Sequence, residues 1–266
     1  MNRTTGAWFQ SHSEQEPASL RLFCFPYAGG TALVFNRWKR LLPSSVQIMA
    51  AELPGRGLRL HEPPFISLPA LIDELKNVIR PCLGLPFVFF GHSMGAIIAF
   101  ELARTLRREY GVEPQALLVA GRRAPQIPKG ESVTYNLPRD EFIKELIRLD
   151  GTPREIIEHV ELMEIIIPLL RADFQLVQTY EYAAEALLQC PIVAYGGEED
   201  REVPRDKILP WSELTTSRFA LHMLPGDHFF LRSAQAQLLE LIKRELSEVL
   251  AHASLNRRSI SRSSDA

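Results

Sequence analysis

Short, mainly apolar runs recur along the chain at residues 20–25, 46–53, 87–90, 116–120, 191–195 and 219–224. Most are continuous rather than alternating, which is the pattern of strands buried on both faces of a mostly parallel sheet. Between them, apolar positions spaced by three and four predict helices at 31–41, 68–80, 94–110 and 229–250. Strands and helices in alternation imply an α/β fold: a mostly parallel central sheet flanked by helices and joined by right-handed crossovers.

One connection is too long for a simple crossover. Residues 136–186 hold amphipathic segments at 139–149, 154–170 and 173–184 and predict a helical lid inserted between two core strands. Its apolar run from Ile165 to Leu170 either lines a substrate tunnel or only packs the lid onto the core. Residues 1–18 are polar and mixed, and residues 252–266 are rich in Ser and Arg. Both ends are expected to be disordered, leaving one domain over 19–251.

Composition narrows the class. A chain of 266 residues, 46% of them apolar, suits one α/β domain with an insertion. The net charge of -2 argues against a general nucleic-acid or membrane-surface binder. No apolar run approaches the roughly 20 residues that span a bilayer, and the polar start lacks the apolar stretch of a secretory signal. Three cysteines, Cys24, Cys82 and Cys190, lie far apart and without metal-ligand spacing. They are expected as free thiols in a cytoplasmic protein.

Candidate chemistry centres on Gly91-His92-Ser93-Met94-Gly95. This G-x-S-x-G follows a predicted strand and opens a predicted helix, the context of a nucleophile elbow. The tight turn requires small residues two before and two after the serine, and lifts the Ser93 hydroxyl to a helix N-terminus. There the Met94 N–H faces developing negative charge. A second such donor is expected from Phe25-Pro26-Tyr27-Ala28-Gly29-Gly30, at the Ala28 N–H.

A serine hydroxyl needs an adjacent base. Of seven histidines, His12 and His252 fall in the ends, His61 in a Pro-rich loop, His159 in the lid and His222 inside a strand. His92 adjoins the serine, with its ring expected to point away from the base position. His228, in Pro225-Gly226-Asp227-His228-Phe229, sits between the last strand and the last helix, where an α/β hydrolase carries its base. The acid is expected after the strand at 191–195, in a loop offering Glu198, Glu199, Asp200 and Glu202. Asp200, shortly before Val203-Pro204, matches the usual acid turn. The glutamates read as solvated charges, and Asp227 is a rival.

Together these stretches resemble the type II thioesterases of polyketide and nonribosomal peptide biosynthesis, a branch that includes medium-chain fatty-acyl thioesterases. The resemblance runs over about residues 20–245 and also takes in Leu53-Pro54-Gly55-Arg56, Arg122-Arg123-Ala124-Pro125 and Leu170-Arg171-Ala172-Asp173. It implies an α/β-hydrolase fold and a catalytic triad of Ser93, Asp200 and His228. It implies substrates that are acyl thioesters on the phosphopantetheine arm of acyl or peptidyl carrier proteins, from which stalled or wrongly primed groups are removed. No metal or diffusible cofactor is implied, since the phosphopantetheine belongs to the partner. Arg171 and Asp173 are expected as an ion pair within the lid. A basic rim for acidic carriers is sought at Arg37, Lys39 and Arg40, or at Arg56 and Arg59. Alternatives are an oxyester-specific esterase or lipase, a thioesterase that releases a finished product, and a catalytically silent binding module on the same fold.

Overall fold

The computed structural model describes residues 3–11, 18–128, 130 and 133–264. Strands β1 (Phe9–Ser11), β2 (Leu20–Phe25), β3 (Val46–Ala51), β4 (Phe87–His92), β5 (Leu117–Ala120), β6 (Ile192–Gly197) and β7 (Phe219–Leu224) build one sheet. Its order is β1-β3-β2-β4-β5-β6-β7. Neighbours from β3 to β7 are parallel, and β1 runs antiparallel to β3.

The mainly apolar runs are explained by two covered faces. Along a strand, successive side chains point to opposite sides. Phe23, Phe25, Phe87 and Phe89 therefore pack on one face, with Leu71 and Leu75 of α2 (Leu68–Ile79) and Ile97 of α3 (Met94–Tyr110). Leu22, Cys24, Val88 and Phe90 fill the other face, with Phe35, Trp38 and the Leu238 and Ile242 side chains of the last helix. Each such side chain contributes about 1.5–3 kcal/mol on burial.

The N-terminus corrects the expectation of a disordered stretch over 1–18. Helix α1 (Arg3–Trp8) leads into β1, where Phe9 pairs with Ala51. Phe9 is buried and meets the Phe23 and Phe25 rings edge-on at 5.2 and 6.2 Å. Three residues are too few to show a period, so the strand has no signature of its own. Residues 1–2 and 12–17 of that expectation lie outside the described residues. Replacing Phe9 by Ala is expected to lower unfolding stability by about 3–5 kcal/mol. A urea titration that left the midpoint unchanged would remove β1 from the folded core.

After α8 (Phe230–Ser233), helix α9 runs from Gln235 to Ser264, through most of the stretch expected to be disordered. Residues 252–264 contain no Gly or Pro. Extending a helix already nucleated by packed residues is far easier than starting one. Residues 265–266 lie outside the described residues.

Residues 31–41 form two 3-10 turns, Ala32–Phe35 and Trp38–Arg40, rather than one helix. Ala32, Phe35 and Trp38 are all buried, and their spacing of three fits the tighter turn. The Ala32 N–H is also drawn to the Glu52 carboxylate at 2.8 Å.

Between β5 and β6 the chain inserts helices α4 (Arg139–Leu149), α5 (Arg154–Ile157) and α6 (Val160–Gln178). They share a small core of Phe142, Leu146, Met163, Ile167 and Leu170. The helix expected at 173–184 stops at Gln178. Beyond it, Arg104 and Arg107 of α3 donate to the carbonyls of Ala183, Ala186 and Leu187 and hold that segment out of a helix. The short α7 (Arg205–Ile208) follows β6.

Candidate active site

All the candidate groups sit on connections that leave the C-terminal ends of parallel strands. That is the edge at which open α/β sheets place their ligands. Ser93 lies between β4 and α3 with φ 53° and ψ −110°, a conformation rare for a residue with a Cβ. The turn is possible because Gly91 and Gly95 lack side chains. A Cβ at Gly91 would lie 2.1 Å from the Gly95 carbonyl oxygen, and one at Gly95 would lie 2.0 Å from that of Phe25.

The loop after β7 brings His228 to this turn, with its Nε2 3.1 Å from Ser93 Oγ. Its Nδ1 is 2.7 Å from Asp200 Oδ2, on the loop after β6. The other oxygen, Asp200 Oδ1, accepts the N–H groups of Glu202 at 2.9 Å and Val203 at 3.0 Å. Burial by itself would raise the Asp200 pKa. The hydrogen bond to His228, electrostatic attraction to that side chain and the two N–H donors outweigh it, so the carboxyl lies below its ordinary range. An ionised Asp200 on Nδ1–H leaves Nε2 as the bare acceptor facing the serine. This line of groups can withdraw a proton from Oγ and return it elsewhere.

Ser93 and His228 open into a cavity of about 370 Å³ that Ala28 and Met94 also border. Leu146, Leu149, Leu170, Phe174 and Val177 of the insertion supply its apolar side. From the run at 165–170 only Leu170 lines it, while Ile167 packs into the insertion's own core and Ile165 is exposed. A larger groove of about 500 Å³ lies between α2, α3 and the segment after α6. Its Asp73, Arg104 and Glu109 are engaged in ion pairs, and none of the candidate site residues borders it.

Several expectations are corrected. Asp173 does not pair with Arg171. It binds Arg56 through both oxygens, at 2.9 and 2.7 Å, and both side chains are buried. Arg171 instead donates to the carbonyls of Tyr135 and Leu137. Arg56 and Arg59 are 3% and 8% exposed, so they form no docking rim, whereas Arg37, Lys39 and Arg40 are exposed. Glu202 is not a free loop charge, because Arg148 of α4 reaches it at 2.6 Å, and both residues border the cavity. Asp227, the rival acid, caps its own loop by accepting the Phe229 N–H at 2.7 Å. Among the other histidines, His12 lies outside the described residues and His252 is exposed on α9.

His92 is the group that the motif hid. Its ring does not point away from the base. Fully buried, it lies with its Nε2 2.9 Å from the backbone oxygen of His228. That contact requires Nε2–H to donate, which leaves Nδ1 without a partner. Burial, then repulsion from His228, push the His92 pKa down to about 3, against weaker support from the hydrogen bond to the His228 backbone and from Asp200. An ordinary histidine near 6.5 takes up its proton in the unfolded chain well before this one does. Stability contributed by neutral His92 is thus present above about 6.5 and is lost as pH falls toward about 3. Replacing His92 by Gln, which can still donate, is expected to flatten this acid limb in pH-dependent unfolding. An unchanged limb would assign it to other groups.

A family model described as thioesterase domain matches residues 20–246. Gramicidin S biosynthesis protein GrsT of Aneurinibacillus migulanus is 41% identical over 244 residues, covering 92% of this chain and 95% of that protein. The medium-chain S-acyl fatty acid synthase thioesterase of Rattus norvegicus is 34% identical over 243 residues, covering 90% of each chain. Among solved structures, the type II thioesterase BorB from the borrelidin biosynthetic cluster superimposes with a TM-score of 0.82 at 33% identity. The overlap covers 92% of this chain and 98% of that one.

Proposed function

Because this chain belongs to the thioesterase domain family, we propose that it clears acyl groups from the phosphopantetheine arms of acyl or peptidyl carrier proteins. These carriers serve polyketide or nonribosomal peptide synthesis, and the acyl group passes through an acyl-serine intermediate. The observation that carries this reading is the unbroken hydrogen-bonded line Ser93–His228–Asp200, opening into a partly apolar cavity under inserted helices. The cavity is within the roughly 300–1,000 Å³ of small-ligand sites. Relatives named for gramicidin S and borrelidin biosynthesis support the synthase setting.

The proposed steps use the groups gathered at the turn. His228 Nε2 takes the Ser93 proton as Oγ attacks the thioester carbonyl carbon. The oxyanion is held by the N–H groups of Ala28 and Met94. Collapse breaks the C–S bond, and His228 returns the proton to the departing pantetheine thiolate. Water, deprotonated by the same nitrogen, then cleaves the acyl-serine and frees the acid. Asp200 holds the imidazole tautomer and stabilises the imidazolium. Every group comes from this chain, the substrate or water. The exposed Arg37, Lys39 and Arg40 are the proposed contact for an acidic carrier. Among the described residues no helix is long and apolar enough to cross a membrane, in keeping with a proposed place beside a cytoplasmic synthase.

The test compares kcat/KM for one acyl group presented as a carrier-protein thioester, a coenzyme A thioester and a matched oxyester. The carrier thioester is expected to lead. A wide preference for the oxyester would favour an esterase instead.

A further inference from the structure

We propose that Asp173, on the inserted helix α6, is a positioning residue that fixes the oxyanion loop after β2. This inference rests on the serine mechanism above and adds to it a control from the insertion.

Besides Arg56, Asp173 Oδ2 accepts the Gly29 N–H at 2.7 Å, from 144 residues away in sequence. Arg56, which holds both carboxylate oxygens, also donates to the Gly30 carbonyl at 3.3 Å. The Gly30 N–H closes back on the Tyr27 carbonyl at 2.9 Å. These bonds fix the two peptide planes on either side of Ala28. The Tyr27 carbonyl belongs to the same planar unit as the Ala28 N–H, and the two point in opposite directions. The Gly29 N–H belongs to the unit that follows Ala28. One unit is tied by the turn and the other by Asp173, so the direction of the Ala28 N–H is set from both sides.

A stability role does not account for this arrangement. Burying two charges is costly, and a well-packed apolar pair is often as stable as a buried ion pair. What an apolar pair does not supply is an acceptor for the Gly29 N–H. The helix also presses on the loop directly, since a Cβ at Gly29, where φ is +75°, would lie 2.7 Å from Leu170 Cδ2. Leu170 and Phe174, which flank Asp173 on α6, line the acyl cavity. One helix therefore borders both the cavity beside Ser93 and the loop after β2.

The test uses two variants of the full chain. Arg56→Met/Asp173→Leu removes both buried charges together with the acceptor. Asp173→Leu keeps close to the same shape and removes the acceptor of the Gly29 N–H, with Arg56 left in place. Each is assayed for kcat and KM on a carrier-bound acyl thioester. Each is also titrated with two substrate-like ligands, an unreactive thioether and a trifluoromethyl ketone that Ser93 converts to an oxyanion.

A misplaced donor should lower kcat by about 10²-fold, with KM within about threefold. Trifluoromethyl ketone affinity should fall by a similar factor, while the thioether binds as before. A double variant with wild-type unfolding midpoint and wild-type kcat would overturn the proposal, as would equal weakening of both ligands. Should the double variant not fold, the ketone-to-thioether affinity ratio of Asp173→Leu decides, and an unchanged ratio overturns it. Ser93→Ala, run alongside, separates the two ideas. Turnover by Ser93→Ala at the wild-type rate rejects the serine mechanism itself. An inactive Ser93→Ala beside fully active Asp173 variants rejects only the positioning role.

Discussion

Removing the Ser93 hydroxyl, as Ser93→Ala, is expected to lower kcat for a carrier-bound acyl thioester by about 10⁴–10⁶-fold. The substitution keeps a Cβ in the strained turn at φ 53°, so the elbow and the unfolding midpoint should be preserved. What disappears is the covalent route, leaving the oxyanion donors and substrate binding to assist a direct attack by water. His228→Ala should cost a comparable factor, because an alcohol without its base at 3.1 Å is a poor nucleophile. The double variant should be no worse than either single one, since the two groups act as a unit. Stopped-flow release of the carrier thiol, beside a thermal melt of each variant, measures this. Losses that multiply in the double variant would mean that the two side chains work independently.

Asp200→Asn should reduce kcat by about 10⁴-fold while leaving the fold intact. The reason lies in which oxygen does what. Oδ1 already receives the Glu202 and Val203 N–H groups, so an asparagine will place its carbonyl there. Its amide then faces His228 Nδ1, where the carboxylate oxygen sat at 2.7 Å. An N–H aimed at Nδ1 selects the tautomer protonated on Nε2, which cannot accept the serine proton. Neutralising Glu198, Glu199 or Asp227 should change kcat by no more than about threefold, the scale of surface-charge effects. Near-normal turnover by Asp200→Asn would show that another carboxylate orients the histidine.

How much of this was written locally in the chain differs by element. The elbow is legible because Gly91, Ser93 and Gly95 must be neighbours for the turn to close, and its strand and helix flank it in sequence. His228 follows from chain order, and the central strands from runs long enough to show burial on both faces. The acid loop was harder. Several carboxylates share it, and only the pairing of Oδ2 with Nδ1 distinguishes Asp200 in the structure. Nothing in the local pattern around Asp173 reveals Arg56 as its partner, 117 residues away, because a charge pair imposes no periodicity on either segment. His92 was obscured in another way. Its neighbours describe a turn, whereas its partner is a backbone oxygen contributed by a distant loop. The 3-10 turns at Ala32–Phe35 and Trp38–Arg40 read as a helix because three and four are both helical spacings, and only burial of the three-spaced set separates them.

The most direct test looks for the covalent intermediate. Enzyme and acyl-carrier thioester are mixed, quenched in acid within milliseconds, digested and examined by peptide mass spectrometry. The account predicts the acyl group on the peptide containing Ser93, at that residue, and its absence when Ser93→Ala is treated in the same way. An acyl group found on any other side chain of the active wild-type enzyme would contradict it.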